Sequence, residues 1–286
     1  MRWEGGAESS NVEDRRGMNP AMAGGAGIGG LILMAVVYFL TGDARVAQQA
    51  GRLANQHGAV EQHAAKPIDD RTLHFSETVL KFTEVVWDEQ FARIGKRYEH
   101  PKMVLFAQRV KTGCGVAPSD VGPFYCPADR KVYLDPTFFD ELEQKLGGSK
   151  AEFSQAYVIA HEVGHHVQNL LGYSELVDRH RRDPDANEWS VRLELQADYL
   201  AGVWAHHGQA KFKFIEPGDI DAAVKTANAI GDDRIQKRSQ GWVSPEKFTH
   251  GRSEQRVRSF RTGYETGVFT KEKLDSYFKA RSSKDL

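Results

Sequence analysis

The feature that most restricts this chain is an apolar helical stripe with a motif of histidine and glutamate set within it. Phe153, Ala156, Ala160, Val163, Val167 and Leu170 recur at spacings of three and four. That period requires a helix with one face in a core. The spacing predicts it over about Lys150 to Leu171, with Gly172 as the stop. Within it lies His161-Glu162-Val163-Gly164-His165. Residues four apart share a helix face, so both imidazoles project the same way and can share one metal ion. Glu162 is turned about 100° around the axis. It is badly placed to bind the same ion but well placed to reach a water beside it. The pattern offers two ligands and a general base, and imidazole donors suit Zn2+.

A catalytic zinc needs a third protein ligand. Glu194, in Glu194-Leu195-Gln196-Ala197-Asp198, is the candidate, on a second helix predicted over about Ala186 to His207. Asp198 lies one turn later on the same face and can accept the second ring N–H of a ligand histidine. His250, in Phe248-Thr249-His250-Gly251, is the candidate donor to a developing oxyanion, with a structural role as the alternative. His166 points to another face and reads as a packing or supporting residue. His206 and His207 read as a solvated helix end. Residue types and spacing therefore suggest zinc-assisted hydrolysis of a peptide bond, with Glu162 as base. A membrane-bound binding or assembly factor that keeps its zinc, or an amidase acting on cell-wall peptides, remains open.

No charged residue occurs from Gly17 to Gly42, and the dense apolar part is Ile28 to Leu40. With its Gly/Ala-rich start, this run reaches the length of about 20 residues that crosses a bilayer. Arg15 and Arg16 precede it and Asp43 follows. Positive-inside logic puts the N-terminus in the cytoplasm and the rest outside the inner membrane. The expected organisation is a cytoplasmic tail over 1–16, a single transmembrane helix over 17–42, a linker over 43–70 and a metallopeptidase domain over 71–286. The lipid bilayer is thus one expected partner and a peptide or protein substrate the other. A net charge of -1 shows no basic footprint for nucleic acid. Cys114 and Cys126, the two cysteines, are too far apart for a C-x-x-C motif. Free thiols and a short-loop disulfide both fit, and an extracytoplasmic domain favours the disulfide.

Elsewhere the pattern predicts a helix over Ser76–Arg97, strands over Met103–Val110 and Lys131–Asp135, and a loop over Lys111–Asp129. A helix is expected from Pro136 to the Gly147-Gly148 pair, and later ones over Pro217–Gly231, Ser253–Thr262 and Lys271–Ala280. Helices dominate and strands are few, which describes an α+β domain.

The sequence resembles the bacterial neutral zinc metallopeptidase family, membrane-anchored proteins of the gluzincin type. The resemblance is carried by Ser9–Gly17, Gly122–Asp129, Val132–Asp135, Ala156–Gln168, Glu194–Asp198, Gly231–Gln236 and Phe248–Gly251. It implies a zincin-like α+β fold, with two ligand-bearing helices beneath a small sheet. It also implies that the Val132–Asp135 strand lines the cleft, where an extended substrate could pair by its backbone. The resemblance says little about the substrate.

Overall fold

The computed structural model describes residues 1–17 and 70–286. The expected anchor over 17–42 and linker over 43–70 lie, but for Gly17 and Asp70, outside the described residues. Among the described residues, no helix is long and apolar enough to cross a membrane.

Six strands and nine α-helices are described. The strands are β1 (Val12–Asp14), β2 (Lys102–Leu105), β3 (Arg109–Thr112), β4 (Gly115–Pro118), β5 (Phe124–Cys126) and β6 (Lys131–Leu134). The helices are α1 (Asp70–Arg93), α2 (Phe138–Gln144), α3 (Glu152–Leu171), α4 (Tyr173–Arg179), α5 (Ala186–Phe212), α6 (Asp219–Ala229), α7 (Asp232–Gln240), α8 (Ser253–Thr266) and α9 (Lys271–Lys279). The helix-rich α+β architecture is the one expected.

Helices α3 and α5 form the centre. The α3 stripe is buried, with Phe153, Ala156, Ala160, Val163 and Val167 at 0% exposure, and Gly172 ends the helix at φ 87°. Gly164 sets the distance between the two helices. A Cβ there would lie 3.1 Å from the Ala197 carbonyl oxygen and 3.3 Å from its Cα, so the α5 backbone occupies the side-chain space. The same device seats α8 on α5. A Cβ on Gly202 would come 2.1 Å from the Phe260 oxygen, and one on Gly263 equally close to the Tyr199 oxygen.

The main sheet has the order β1-β2-β6-β5. Strands β1, β2 and β6 are parallel, while β5 runs antiparallel to β6. This corrects the expected role of Val132–Asp135. Strand β6 is paired on both sides and has no free edge for a substrate. The edge strands are β1 and β5, and β5 is the one bonded to α3 through Tyr125 and His166. The Lys111–Asp129 loop is also more ordered than its Gly and Pro content suggests. It holds part of the β3–β4 hairpin and all of β5. The expected single strand over Met103–Val110 is broken near Gln108, which adopts φ 65°. Cys114 and Cys126 are disulfide-bonded, joining the hairpin turn to the end of β5.

The N-terminal residues differ most from expectation. The sequence reads 1–16 as a separate tail, yet it is built into the domain. Val12, Glu13 and Asp14 pair in register with Met103, Val104 and Leu105. Trp3 is buried against Phe75. The Ser9 hydroxyl and the Asn11 amide both donate to Glu84 of α1, at 2.5 and 2.7 Å. The tail looked polar and independent because its partners lie more than 70 residues away in sequence.

Candidate metal centre

The α3–α5 contact brings His161, His165 and Glu194 together, with one potential ligand atom from each within 4.8 Å of the others. His161 Nε2 lies 3.2 Å from one Glu194 oxygen, and His165 Nε2 lies 3.3 Å from the other. Two donors bound tetrahedrally to zinc at about 2.0–2.1 Å stand roughly 3.3–3.4 Å apart. The donor set and its spacing therefore fit zinc.

The second nitrogen of each imidazole is also held. His161 Nδ1–H donates to Asp198 at 2.9 Å, and His165 Nδ1–H donates to the Gln168 side-chain oxygen at 2.8 Å. Both bonds fix the tautomer and turn the Nε2 lone pairs towards Glu194. Gln168 is itself anchored, donating to the Leu193 carbonyl at 2.6 Å and to Gln196 at 3.0 Å.

Asp198 is the hub of a fully buried network. Besides His161 it accepts from the Tyr157 hydroxyl at 2.6 Å, and from Arg256 Nε and Nη2 at 2.8 and 3.1 Å. Burial raises its carboxyl, but the Arg256 charge and the His161 contact outweigh this and leave it lowered. Burial likewise opposes the charge on Glu194. His165 and the hydrogen bonds from both histidines hold that carboxyl well below its usual range. Burial also works against a proton on His161, yet Asp198 and Glu194 raise it to about 10. A cation entering the site must displace that proton, so its affinity falls in acid.

Glu162 is 8% exposed and makes no hydrogen bond with the described residues. Burial pushes its carboxyl up, against the pull of His161 and His165. A raised carboxyl without a partner is suited to proton transfer.

His250 sits on the loop before α8. Its Nδ1 contacts Asp232 at 3.2 Å and the Thr249 hydroxyl at 3.0 Å. Asp232 also accepts the backbone N–H groups of Thr249, His250 and Gly251 at 2.7, 2.7 and 3.0 Å, which fixes the loop. Burial disfavours a charged His250, but the bond to Asp232 and the charge of Glu194 outweigh it and raise its pKa. The side chain stays half exposed.

With the site's geometry described, comparison with known proteins gives the family. Residues 1–274 match the family described as "Putative neutral zinc metallopeptidase". The chain belongs to this neutral zinc metallopeptidase family. It is 44% identical over 279 residues to the Escherichia coli K12 protein YpfJ, covering 93% of this chain and 96% of the relative. A Mycobacterium tuberculosis H37Rv protein, Rv2575, is 46% identical over 180 residues, covering 59% of this chain and 60% of the relative. Both carry the description "uncharacterized". No solved structure matches. Membership of the metallopeptidase family implies zinc as the metal and a peptide or protein as the substrate.

The remaining histidines divide as follows. His166 lies outside the cluster, as expected. It bonds to Tyr125 of β5 at 3.0 Å and to the Glu99 carbonyl at 2.6 Å, and burial lowers its pKa to about 4. It ties the ligand helix to the open sheet edge. His206 and His207 are not a solvated helix end. They are partly buried and bond to the Tyr264 and Gly267 carbonyls, at 2.7 and 2.8 Å, at the end of α8. Gln168, Tyr157, Asp232 and Arg256 were not singled out from spacing. Gln168 could have been, since it lies three residues after His165 on one helix face. Arg256 gives no such signal, because its partner Asp198 is 58 residues away.

Proposed function

We propose that this protein is a membrane-attached zinc peptidase that hydrolyses peptide bonds with Glu162 as general base. The observation that carries this is the convergence of His161 Nε2, His165 Nε2 and Glu194, beside a buried Glu162 carboxylate that bonds to no described residue. Zinc at this site would lower the pKa of a bound water towards about 7 and polarise the scissile carbonyl. Glu162 accepts the proton of the attacking water and passes it to the leaving amine. The raised pKa of His250 favours the form in which Nε2–H can donate to the developing oxyanion, while Asp232 holds Nδ1. Asp198 and Gln168 position the two histidines. The unpaired edge of β5 offers an extended peptide a place to pair by its backbone.

Attachment is assigned to the charge-free Gly17–Gly42 run, and an extracytoplasmic location for the catalytic domain accords with the Cys114–Cys126 disulfide. The test is Glu162→Gln. This variant should bind zinc as the parent does and lose about 10²–10⁴-fold in turnover. Equal hydrolysis of a peptide substrate by parent and variant would rule out the mechanism. Comparing membrane-associated proteins from cells carrying each form would identify substrates.

A further inference from the structure

We infer that this protein takes substrates carrying a carboxylate near the scissile bond, and that a cationic cavity beside His250, with Lys237 and Arg252 in its lining, receives that carboxylate. This rests on the peptidase reading above and names a substrate class for it.

The cavity has a volume of about 520 Å³ and is lined by Asp233, Arg234, Lys237, Val243, Pro245 and Arg252. Cations outnumber the one carboxylate, and that carboxylate is already engaged. Asp233 accepts the Ser253 N–H at 2.7 Å and the Ser253 hydroxyl at 2.9 Å. Arg234 approaches it only to 4.0 Å. Lys237 and Arg252 are exposed and form no ion pair with the described residues. Arg252 lies over the Phe248 ring, its guanidinium carbon 5.5 Å from the centroid, which restricts where its N–H groups can go. A guanidinium fork beside an ammonium group in one cavity suits a carboxylate. Val243 and Pro245 add an apolar wall for the stem of the group that carries it. The wall is held in place. The Ser244 N–H donates to Gln236 of α7 at 2.7 Å, and Asn187 of α5 donates to the Glu246 carbonyl at 2.9 Å.

The cavity and the metal centre share one joint. Consecutive residues of α7 hold it, since Asp232 bonds to His250 and Asp233 bonds to Ser253. Gly251, between His250 and Arg252, packs directly on α5. A Cβ there would lie 3.2 Å from Val191 Cγ1 and 3.3 Å from Leu195 Cδ2. Val191 is one turn before the candidate ligand Glu194, and Leu195 follows it. Arg252 comes two residues after His250, so their Cα atoms are at most about 7 Å apart. An extended peptide advances about 3.3 Å per residue. A substrate whose carbonyl sits between the metal centre and His250 therefore brings a group only a few residues away to Lys237 and Arg252.

The experiment measures peptide binding, by fluorescence anisotropy, to zinc-loaded full-length protein carrying Glu162→Gln. The probes are labelled neutral peptides in which a single Gln or Glu is scanned along the chain, each made with a free and with an amidated C-terminus. The inference expects about tenfold tighter binding when a carboxylate replaces its amide at one position, the factor of a charge-assisted hydrogen bond. A response to Glu within the chain identifies an acidic side chain as the source, and a response to the free C-terminus identifies the chain end. Adding Lys237→Gln or Arg252→Gln should each remove most of this preference, and Lys237→Glu should turn it towards peptides carrying Lys. Zinc binding by these variants should match the parent, because neither side chain touches the candidate ligands. Equal or undetectable binding of carboxylate and amide peptides at every position would overturn the inference, as would a preference unchanged in both glutamine variants. The peptidase reading fails by a different result, an absence of hydrolysis by the parent, which leaves these affinities readable.

Discussion

Replacing Asp198 by asparagine changes one atom of the network and separates its two roles. Asp198 Oδ1 accepts from Tyr157, His161 and Arg256 Nη2, while Oδ2 accepts from Arg256 Nε. Asparagine can keep its oxygen at the Oδ1 position and so keep Tyr157 and His161. Its NH2 group then faces Arg256 Nε, donor against donor. The damage falls on Arg256, which is 2% exposed and left with an uncompensated charge. Breaking one side of a buried pair costs about 3–5 kcal/mol of stability. His161 retains an acceptor but loses the anionic one, and such second-layer changes weaken metal binding about 10–100-fold. Urea unfolding of the metal-free protein measures the first effect, and zinc competition against a fluorescent chelator measures the second. In the double variant Asp198→Asn/Arg256→Met most of the stability should return, while zinc affinity stays low. Parent-like zinc affinity in Asp198→Asn would refute the assignment of Asp198 as the residue that orients His161. A double variant no more stable than the single would refute the buried-charge argument.

Two further outcomes follow from the same geometry. His250→Ala should lower kcat about 10²–10³-fold with little change in KM, the signature of a donor used only in the transition state. Because Asp232 raises the His250 pKa, the donor is present below that value and lost as pH rises through it, so the alkaline fall in parent kcat should be absent from the variant. Glu84 predicts an acid effect on the N-terminal segment. Burial raises its carboxyl, but hydrogen bonds from Ser9, Asn11 and Lys81 outweigh this and leave it lowered. Its contribution is complete above the unfolded carboxyl pKa and lost as pH falls through the lower folded value. The protection factors of residues 2–14, taken relative to the intrinsic exchange rate at each pH, should therefore fall on acidification, and Glu84→Gln should show low protection already at neutral pH.

Local periodicity and long-range pairing account for what the sequence did and did not disclose. The α3 stripe and the four-residue histidine spacing place the ligand helix, because both are properties of one element. Glu194 and Asp198 were accessible for the same reason, as a face-sharing pair on a second helix. Strands were harder. Strand β5 is three residues long between Pro123 and Pro127, so its loop-like composition outweighed any alternation. The N-terminal strand escapes any local reading, because a short polar segment reveals its pairing only once β2 is in place beside it. The resemblance points to Val132–Asp135 as the substrate-facing strand, but the apolar residues Val132, Tyr133 and Leu134 of β6 are buried within the sheet and not at its rim. Arg256 and Asp232 support site groups through contacts 58 and 18 residues apart, and no local pattern encodes such distances.

The central claim is that His161, His165 and Glu194 hold one catalytic zinc for the Glu162 base. Metal-free full-length protein is titrated with zinc while hydrolysis of a fluorogenic peptide pool is followed. The account predicts a rate that rises linearly and stops at one equivalent per chain. A rate independent of added zinc, or no hydrolysis with one zinc tightly bound, would contradict it.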